Sequence, residues 1–236
     1  MEGESDTVPT IVKLFRDLDR LSPGSAESLR WALAVAATPK DARILDAGCG
    51  TGADLATLNA AAPQGEIVAL DIEPDFIGRV RARYPKIAAH IGDMTDPPAG
   101  PYDLIWSSGA VYNVGITAAL TAWRPHLAEG GRVAFSDLRA RSDNPPAEVR
   151  EFWAEVDLQL RSTADLEQEI AAAGYRLLDA RWVGPAGWAS YYGPIEVELD
   201  GFTAAPELIA HLKSEIALWR SHGVNYGARL VVVAPE

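Results

Sequence analysis

The stretch Asp46-Ala47-Gly48-Cys49-Gly50-Thr51-Gly52 has the residue types and spacing to do chemistry. It follows the apolar run Arg43-Ile44-Leu45 and opens a helix-like segment over residues 53–61. Glycines at such a turn let the backbone pass close to a ligand. The helix N-terminus behind them offers free N–H groups to an anionic part of that ligand. The spacing alone points to a nucleotide-type ligand, because Gly48, Gly50 and Ala53 also satisfy the G-x-G-x-x-A form of the dinucleotide fingerprint.

Acids placed after the strands narrow the choice. Asp46 precedes the glycines by two, and its charge suits a ligand with an ammonium group and repels a pyrophosphate. S-adenosylmethionine, with an ammonium, a sulfonium and a carboxylate, fits that requirement. Asp71 ends the next strand, where an acid accepts from both ribose hydroxyls in either ligand class. In Gly92-Asp93-Met94, Asp93 can accept from an adenine amino group and Met94 can pack on the ring, or Asp93 can serve only as a turn former. Cys49 lies near a helix N-terminus, which can acidify a thiol, although a small buried residue is the simpler expectation. His90, His126, His211 and His222 show no metal-ligand spacing, and no metal is expected. Asp96-Pro97-Pro98 resembles an amine-methylating signature but follows the third strand rather than the fourth, and reads as a loop. Aromatic residues cluster later in the chain. Tyr112 and Asn113 follow the fourth strand, Phe152-Trp153 lies on a later helix, and Trp188, Tyr191, Tyr192 and Tyr226 precede the last strand. Phe152 is expected to be packing. Trp153, Trp188, Tyr191 and Tyr192 either pack or wall an acceptor site, where aromatic faces exclude water or hold a cation. Tyr112, Tyr191 and Glu155 are the candidate general bases.

These residues need a scaffold. At 236 residues the chain suits one α/β domain. Short apolar strands over residues 43–47, 66–70, 87–91, 102–106 and 131–138 alternate with helices over 53–61, 74–84 and a segment carrying Ile116, Leu120, Trp123 and Leu127. That alternation implies parallel β-α-β units with right-handed crossovers. Two helices are expected first, one with Ile11, Leu14, Phe15, Leu18 and Leu21 on a face, the next capped by Ser25. A helix from Asn144-Pro145 carries Val149, Phe152, Val156 and Leu160, and Ser162 with Asp165 resembles a capping box for another. Strands follow over 175–183 and 229–233. Between them lie Gly184 to Pro194, rich in glycine and aromatics, then a helix with Leu208, Leu212, Ile216 and Trp219. The expected organisation is one domain, with N-terminal helices in 1–40, a core in 41–183 and 227–236, and a cap insertion in 184–226, the N-terminal helices being its expected partner.

Net charge is -12, from 21 basic and 33 acidic residues. Without a basic face to displace counterions, nucleic acid is not an expected partner. No apolar run approaches a membrane span, the densest basic stretch, residues 79–86, reads as an exposed helix side, and residues 1–7 show no signal pattern. The single cysteine suits a reducing compartment. A cytoplasmic protein with a small-molecule acceptor is expected, and oligomeric state stays open, a homodimer included.

The ordered set Ile44-Leu45-Asp46-Ala47-Gly48-Cys49-Gly50-Thr51-Gly52, Ala69-Leu70-Asp71-Ile72, Gly92-Asp93-Met94, Tyr102-Asp103-Leu104-Ile105-Trp106, Leu127-Ala128-Glu129-Gly130-Gly131-Arg132-Val133 and Ala172-Ala173-Gly174-Tyr175 resembles the class I S-adenosylmethionine-dependent methyltransferases, in particular their small-molecule, type 11-like branch. The resemblance covers roughly residues 41–183 and the last strand. It implies a doubly wound, Rossmann-like seven-stranded sheet of order 3-2-1-4-5-7-6 with an antiparallel last strand. It further implies that Asp46, Gly48 and Gly50, with Cys49 and Thr51 beside them, hold the methionine part, Asp71 the ribose, and Asp93 and Met94 the adenine. Ile72 would flank the adenine, or pack beside Asp71, and Ser107 would face the sulfonium. The activity implied is in-line methyl transfer to a small acceptor, leaving S-adenosylhomocysteine. Two alternatives stay open on the residues: a non-catalytic S-adenosylmethionine-binding module, since fold and ligand site do not guarantee chemistry, and an NAD(P)-dependent oxidoreductase using the Gly48–Ala53 spacing.

Overall fold

The computed structural model describes residues 10–156 and 158–236, so the stretch 1–7, expected to lack an export signal, lies outside the described residues. Strands β1 (Arg43–Ala47), β2 (Glu66–Asp71), β3 (Ala88–Ile91), β4 (Tyr102–Ser108), β5 (Leu127–Ala140), β6 (Tyr175–Trp182) and β7 (Tyr226–Pro235) form one seven-stranded sheet of order 3-2-1-4-5-7-6. Strands β1 to β5 pair in parallel, and β7 runs antiparallel to both β5 and β6. A dinucleotide-binding sheet has the order 3-2-1-4-5-6; the strand inserted between β5 and β6 departs from it.

The central strands are apolar on both faces, as a sheet covered on both sides requires. Side chains alternate: Ile44, Ile67, Leu104 and Trp106 enter one core layer, and Leu45, Val68, Ile105 and Val133 the other. Helices α1 (Thr10–Phe15), α2 (Ala26–Val35), α3 (Leu55–Ala61), α4 (Pro74–Arg83), α6 (Ala147–Ala154), α8 (Pro185–Gly201) and α9 (Pro206–His222) contribute to the first layer. Helices α5 (Ile116–Trp123) and α7 (Thr163–Ala172) contribute to the second. Trp123 is fully buried there, and its Nε1 donates to the Met94 carbonyl at 2.7 Å. Burying such a side chain contributes on the order of 1.5–3 kcal/mol, and the bond fixes the loop after β3. Capping boxes start α2 (Ser25 with Ser28) and α7 (Ser162 with Asp165), satisfying N–H groups the helices cannot.

Several elements differ from expectation, each for a tertiary reason. The first helix stops at Phe15 instead of running to Leu21. Arg79 of α4 takes the carbonyls of Arg16 and Leu18 at 2.7 and 3.0 Å, and Arg79 and Arg83 both bind Asp19. The basic run 79–86 therefore is not merely a solvated face: it anchors the N-terminal segment. Helix α5 ends at Trp123 because Pro125 follows, and Leu127 belongs to β5. Strand β5 extends to Ala140, where it pairs with Tyr226 of β7. Helix α6 ends at Ala154, leaving Val156 and Leu160 beyond it. The glycine- and aromatic-rich stretch from Gly184 is helical. Pro185 opens α8, Pro194 sits inside it, and the Gly187 carbonyl accepts from the Gly24 N–H at 3.2 Å. That bond, with Ser190 Oγ donating to the Gly24 carbonyl at 2.8 Å, ties α8 to the segment before α2. Among the described residues no helix is long and apolar enough to cross a membrane.

Candidate functional site

The carboxyl ends of β1, β2, β3 and β4 open on a cavity of about 600 Å³. Asp46, Gly48, Cys49, Gly50, Thr51, Asp71, Ile72, Asp93 and Met94 all line it. Three loops, far apart in sequence, thus meet where a parallel sheet places its ligands. Gly48 shows why the loop must be bare. Its φ is +77°, and a Cβ there would lie 2.5 Å from the Ala110 Cβ and 3.0 Å from the Met94 methyl. A side chain at this position would both strain the backbone and fill the cavity.

The acids differ in how they are held. Asp71 accepts from the Gly50 N–H at 2.8 Å and from the Glu73 N–H at 2.9 Å. Burial pushes its carboxyl up, and these N–H groups partly offset that. Asp46 is only 2 % exposed. Burial raises its carboxyl well above the ordinary 3.8, Asp54 and Asp71 add to the rise, and Arg20 opposes it. An acid this uncompensated on a cavity wall is complementary to a cation. Asp93 is exposed and accepts from the Thr95 N–H and hydroxyl, both at 2.7 Å, which hold its carboxyl below the usual range. The turn role of Asp93 is therefore real, and the residue lines the cavity as well. Burial, with Asp46 and Asp71, keeps the Cys49 thiol protonated, so the helix N-terminus does not acidify it.

Sequence reasoning overlooked Arg20, Asp54, Phe76 and Ser108, which also line the cavity. Arg20 and Asp54 form a buried ion pair, and Asp54 also accepts from Trp106 Nε1 at 3.0 Å. Ser107, expected at the wall, is fully buried and off it; alternation along β4 turns Ser108 to the cavity instead. Ile72 stands 71 % exposed at the rim rather than packed in the core. Tyr112 and Asn113 line the cavity beyond β4, and Asn113 Nδ2 donates to the Ala110 carbonyl at 2.9 Å.

The remaining candidates lie elsewhere. Glu155 is a surface residue capping α6 and is not on the cavity. Trp153, Trp188, Tyr191 and Tyr192 do not line the cavity either. They join an aromatic cluster with Trp219 and Tyr226, with ring centroids 4.9 to 6.2 Å apart. Offset and edge-to-face rings at such spacings stabilise beyond their burial. Phe152 stacks on His211 at 5.0 Å. Burial pushes the Tyr191 hydroxyl well up, which disfavours it as a base.

Residues 44–131 match a family model described as a methyltransferase domain. A trans-aconitate 2-methyltransferase of Methylobacterium radiotolerans is 33 % identical over 200 residues, a match covering 68 % of this chain and 76 % of that one. A malonyl-[acyl-carrier protein] O-methyltransferase of Dechloromonas aromatica is 32 % identical over 145 residues, covering 58 % of this chain and 53 % of that one. The chain spans about half the length of several such relatives. A solved S-adenosylmethionine-dependent methyltransferase of Geobacter sulfurreducens, in complex with S-adenosylhomocysteine, superposes with a TM-score of 0.79 at 16 % identity, over 97 % of this chain and 99 % of that one.

Proposed function

The chain belongs to the class I S-adenosylmethionine-dependent methyltransferases, and from that premise we propose that it moves a methyl group from S-adenosylmethionine to a small-molecule acceptor. One observation carries the reading: the glycine loop, Asp71, Asp93-Met94 and the segment from Ser108 to Val114 bound a single cavity. The cradle fits the cofactor, because a Cβ at Gly48 would occupy it and because its donors and acceptors match the cofactor's charges.

In this reading Asp46 and the backbone of Gly48 to Gly50 take the methionine ammonium end. Arg20, on the cavity wall and already bound to Asp54, would take the methionine carboxylate. Asp71 takes the ribose hydroxyls with the lone pairs its backbone donors leave free. Asp93 and Met94 take the adenine, with Ile72 and Phe76 at its rim. When bound, S-adenosylmethionine supplies an electrophilic methyl carbon on a sulfonium. The task of the chain is to align the acceptor with that carbon and keep water out, and positioning of this kind contributes roughly 7–11 kcal/mol of barrier reduction. Tyr112 and Asn113, on the cavity wall after β4, would meet the acceptor.

Titration calorimetry with S-adenosylhomocysteine tests the cofactor site. Asp71→Ala removes the ribose acceptors and strips Gly50 and Glu73 of a partner, so affinity should fall about 10- to 100-fold. Unchanged affinity would refute the site. Methyl transfer from labelled S-adenosylmethionine into a metabolite mixture then tests turnover.

A further inference from the structure

Sheet order divides the cavity into two parts. Along the sheet the strands run β3-β2-β1-β4. In the reading above, adenine, ribose and methionine lie at the ends of β3, β2 and β1 in turn. The reactive end of the cofactor then reaches the boundary between β1 and β4. The walls approach each other there. A Cβ at Gly48 would stand 2.5 Å from the Ala110 Cβ, and one at Gly50 would stand 3.1 Å from Leu21 Cδ1. Beyond the boundary two segments supply the wall. One is the end of β4 and the loop after it, with Ser108, Ala110, Tyr112, Asn113 and Val114. The other is the stretch before α2, with Leu21 and Ser22. Ser22 Oγ donates to the Ser108 carbonyl at 3.0 Å, which ties the two together.

Charge is divided unevenly between the parts. The carboxylates on the cavity wall, those of Asp46, Asp54, Asp71, Glu73 and Asp93, lie at or after the carboxyl ends of β1, β2 and β3. The wall at β4 holds aliphatic groups, one aromatic ring, serine hydroxyls and an amide, none of them ionised; a tyrosine hydroxyl titrates only near pH ~10. Among the described residues Arg20 is the one Lys or Arg on the cavity wall, and Asp54 holds it. Residues 1–9 contain no Lys or Arg. An anionic group taken in at β4 would lose its water, find no free counter-charge and meet the field of the nearby acids. A cationic group would meet the sulfonium with no acid on its own side of the boundary.

We infer that the acceptor is an uncharged molecule with an apolar body, seated between the loop after β4 and the Leu21-Ser22 stretch. The inference rests on the methyl-transfer reading and names its substrate class. Leu21, Val114 and the Tyr112 ring cover the apolar body, while Ser22, Ser108 and Asn113 orient it by hydrogen bonds, the division of labour usual in a small-molecule site.

Three probes with one ring system and different charge test this. Naphthol, naphthoate and naphthylmethylamine are titrated by calorimetry into the full-length protein saturated with S-adenosylhomocysteine. Wild type should bind naphthol at least about tenfold more tightly than either charged probe, the discrimination expected when a charge is desolvated without a partner. Tyr112 is 59 % exposed, so an arginine there is tolerable. Tyr112→Arg should raise naphthoate affinity about tenfold, the effect of one new charge pair in a partly shielded site, with S-adenosylhomocysteine affinity within about twofold. Three outcomes overturn the inference: no probe binds wild type, a charged probe matches naphthol, or Tyr112→Arg leaves naphthoate affinity unchanged. Failure of S-adenosylhomocysteine to bind wild type would instead overturn the cofactor reading, and the same probes on the free protein still judge the wall. Should Tyr112→Arg not fold, the three-probe comparison on wild type decides alone.

Discussion

At the β1–β2 end of the cavity, polar groups are matched before any ligand arrives. Asp71 is held by two backbone N–H groups, and Asp54 by Arg20 and Trp106. In the aromatic cluster of α8 and α9, which does not line the cavity, the reverse holds. Among the described residues, Tyr226 Oη and Trp153 Nε1 are buried without partners, and Glu215 has a single hydrogen bond, from Tyr192. Backbone donors cannot drift far, so the first end suits one ligand of fixed shape. The second is built from side chains on separate segments and leaves polar atoms unbonded among the described residues. Asp46 is the exception at the first end, an acid left poorly matched on the wall the ligand's ammonium would face.

The sharpest way to break this contrast is to unmatch the matched end. Arg20→Ala leaves Asp54 buried and unpaired, close to Asp46. Removing one member of a buried ion pair costs about 3–5 kcal/mol, and this variant should lose on the order of 3 kcal/mol in urea denaturation. Arg20 lowers the Asp46 carboxyl, so the loss should shrink as pH falls and the acids take up protons. A loss under about 1 kcal/mol, the usual value of an exposed pair, would mean that the pair is not buried in solution.

Much of the first end was legible because its contacts are local or follow strand ends. Asp46 to Gly52 is one continuous stretch from the end of β1 into the turn, Asp71 closes the adjacent strand, and Ser162 with Asp165 announces its own cap. Arg20 was not legible. Its partner lies 34 residues away, and nothing in its neighbourhood distinguishes it from other arginines. Ser107 failed by one position, because alternation at a strand end depends on where the strand stops. Glu215 did leave a signal that went unused. It falls three residues after Leu212 and four before Trp219, inside the apolar stripe of α9, where a charge is out of place. The helical state of the glycine-rich start of α8 depends on its contact with Gly24, more than 160 residues away in sequence.

A smaller effect tests the exception. Burial raises the folded Asp46 carboxyl above its ordinary 3.8, so folding takes up a proton between the two values. The penalty is absent below 3.8, grows as pH rises through the folded value, and is complete above it. Asp46→Asn removes it. The unliganded variant should therefore gain on the order of 1–2 kcal/mol over wild type on the alkaline side and nothing at the acid extreme. S-adenosylhomocysteine affinity should fall about tenfold, the value of one charge-assisted hydrogen bond. A variant that loses stability at every pH would show Asp46 to be a structural acid with an internal partner.

The smallest expected effect, that of Tyr226→Phe, separates matched from unmatched groups within the cap itself. Tyr192→Phe removes a hydroxyl that serves Glu215, leaving a buried carboxylate without its donor; it should cost about 1–3 kcal/mol. Tyr226→Phe removes a buried hydroxyl that has no hydrogen-bond partner among the described residues. Deleting an unsatisfied polar group leaves the ring packed against Trp153 and Trp188 and abolishes a desolvation cost, so stability should hold or rise by up to about 1 kcal/mol. Two chemically identical substitutions in one cluster are thus expected to differ: Tyr192→Phe lowers the thermal midpoint and Tyr226→Phe does not. If Tyr226→Phe were to destabilise as much as Tyr192→Phe, the Tyr226 hydroxyl must already be bonded in the free protein, and the cap would be as self-sufficient as the glycine loop.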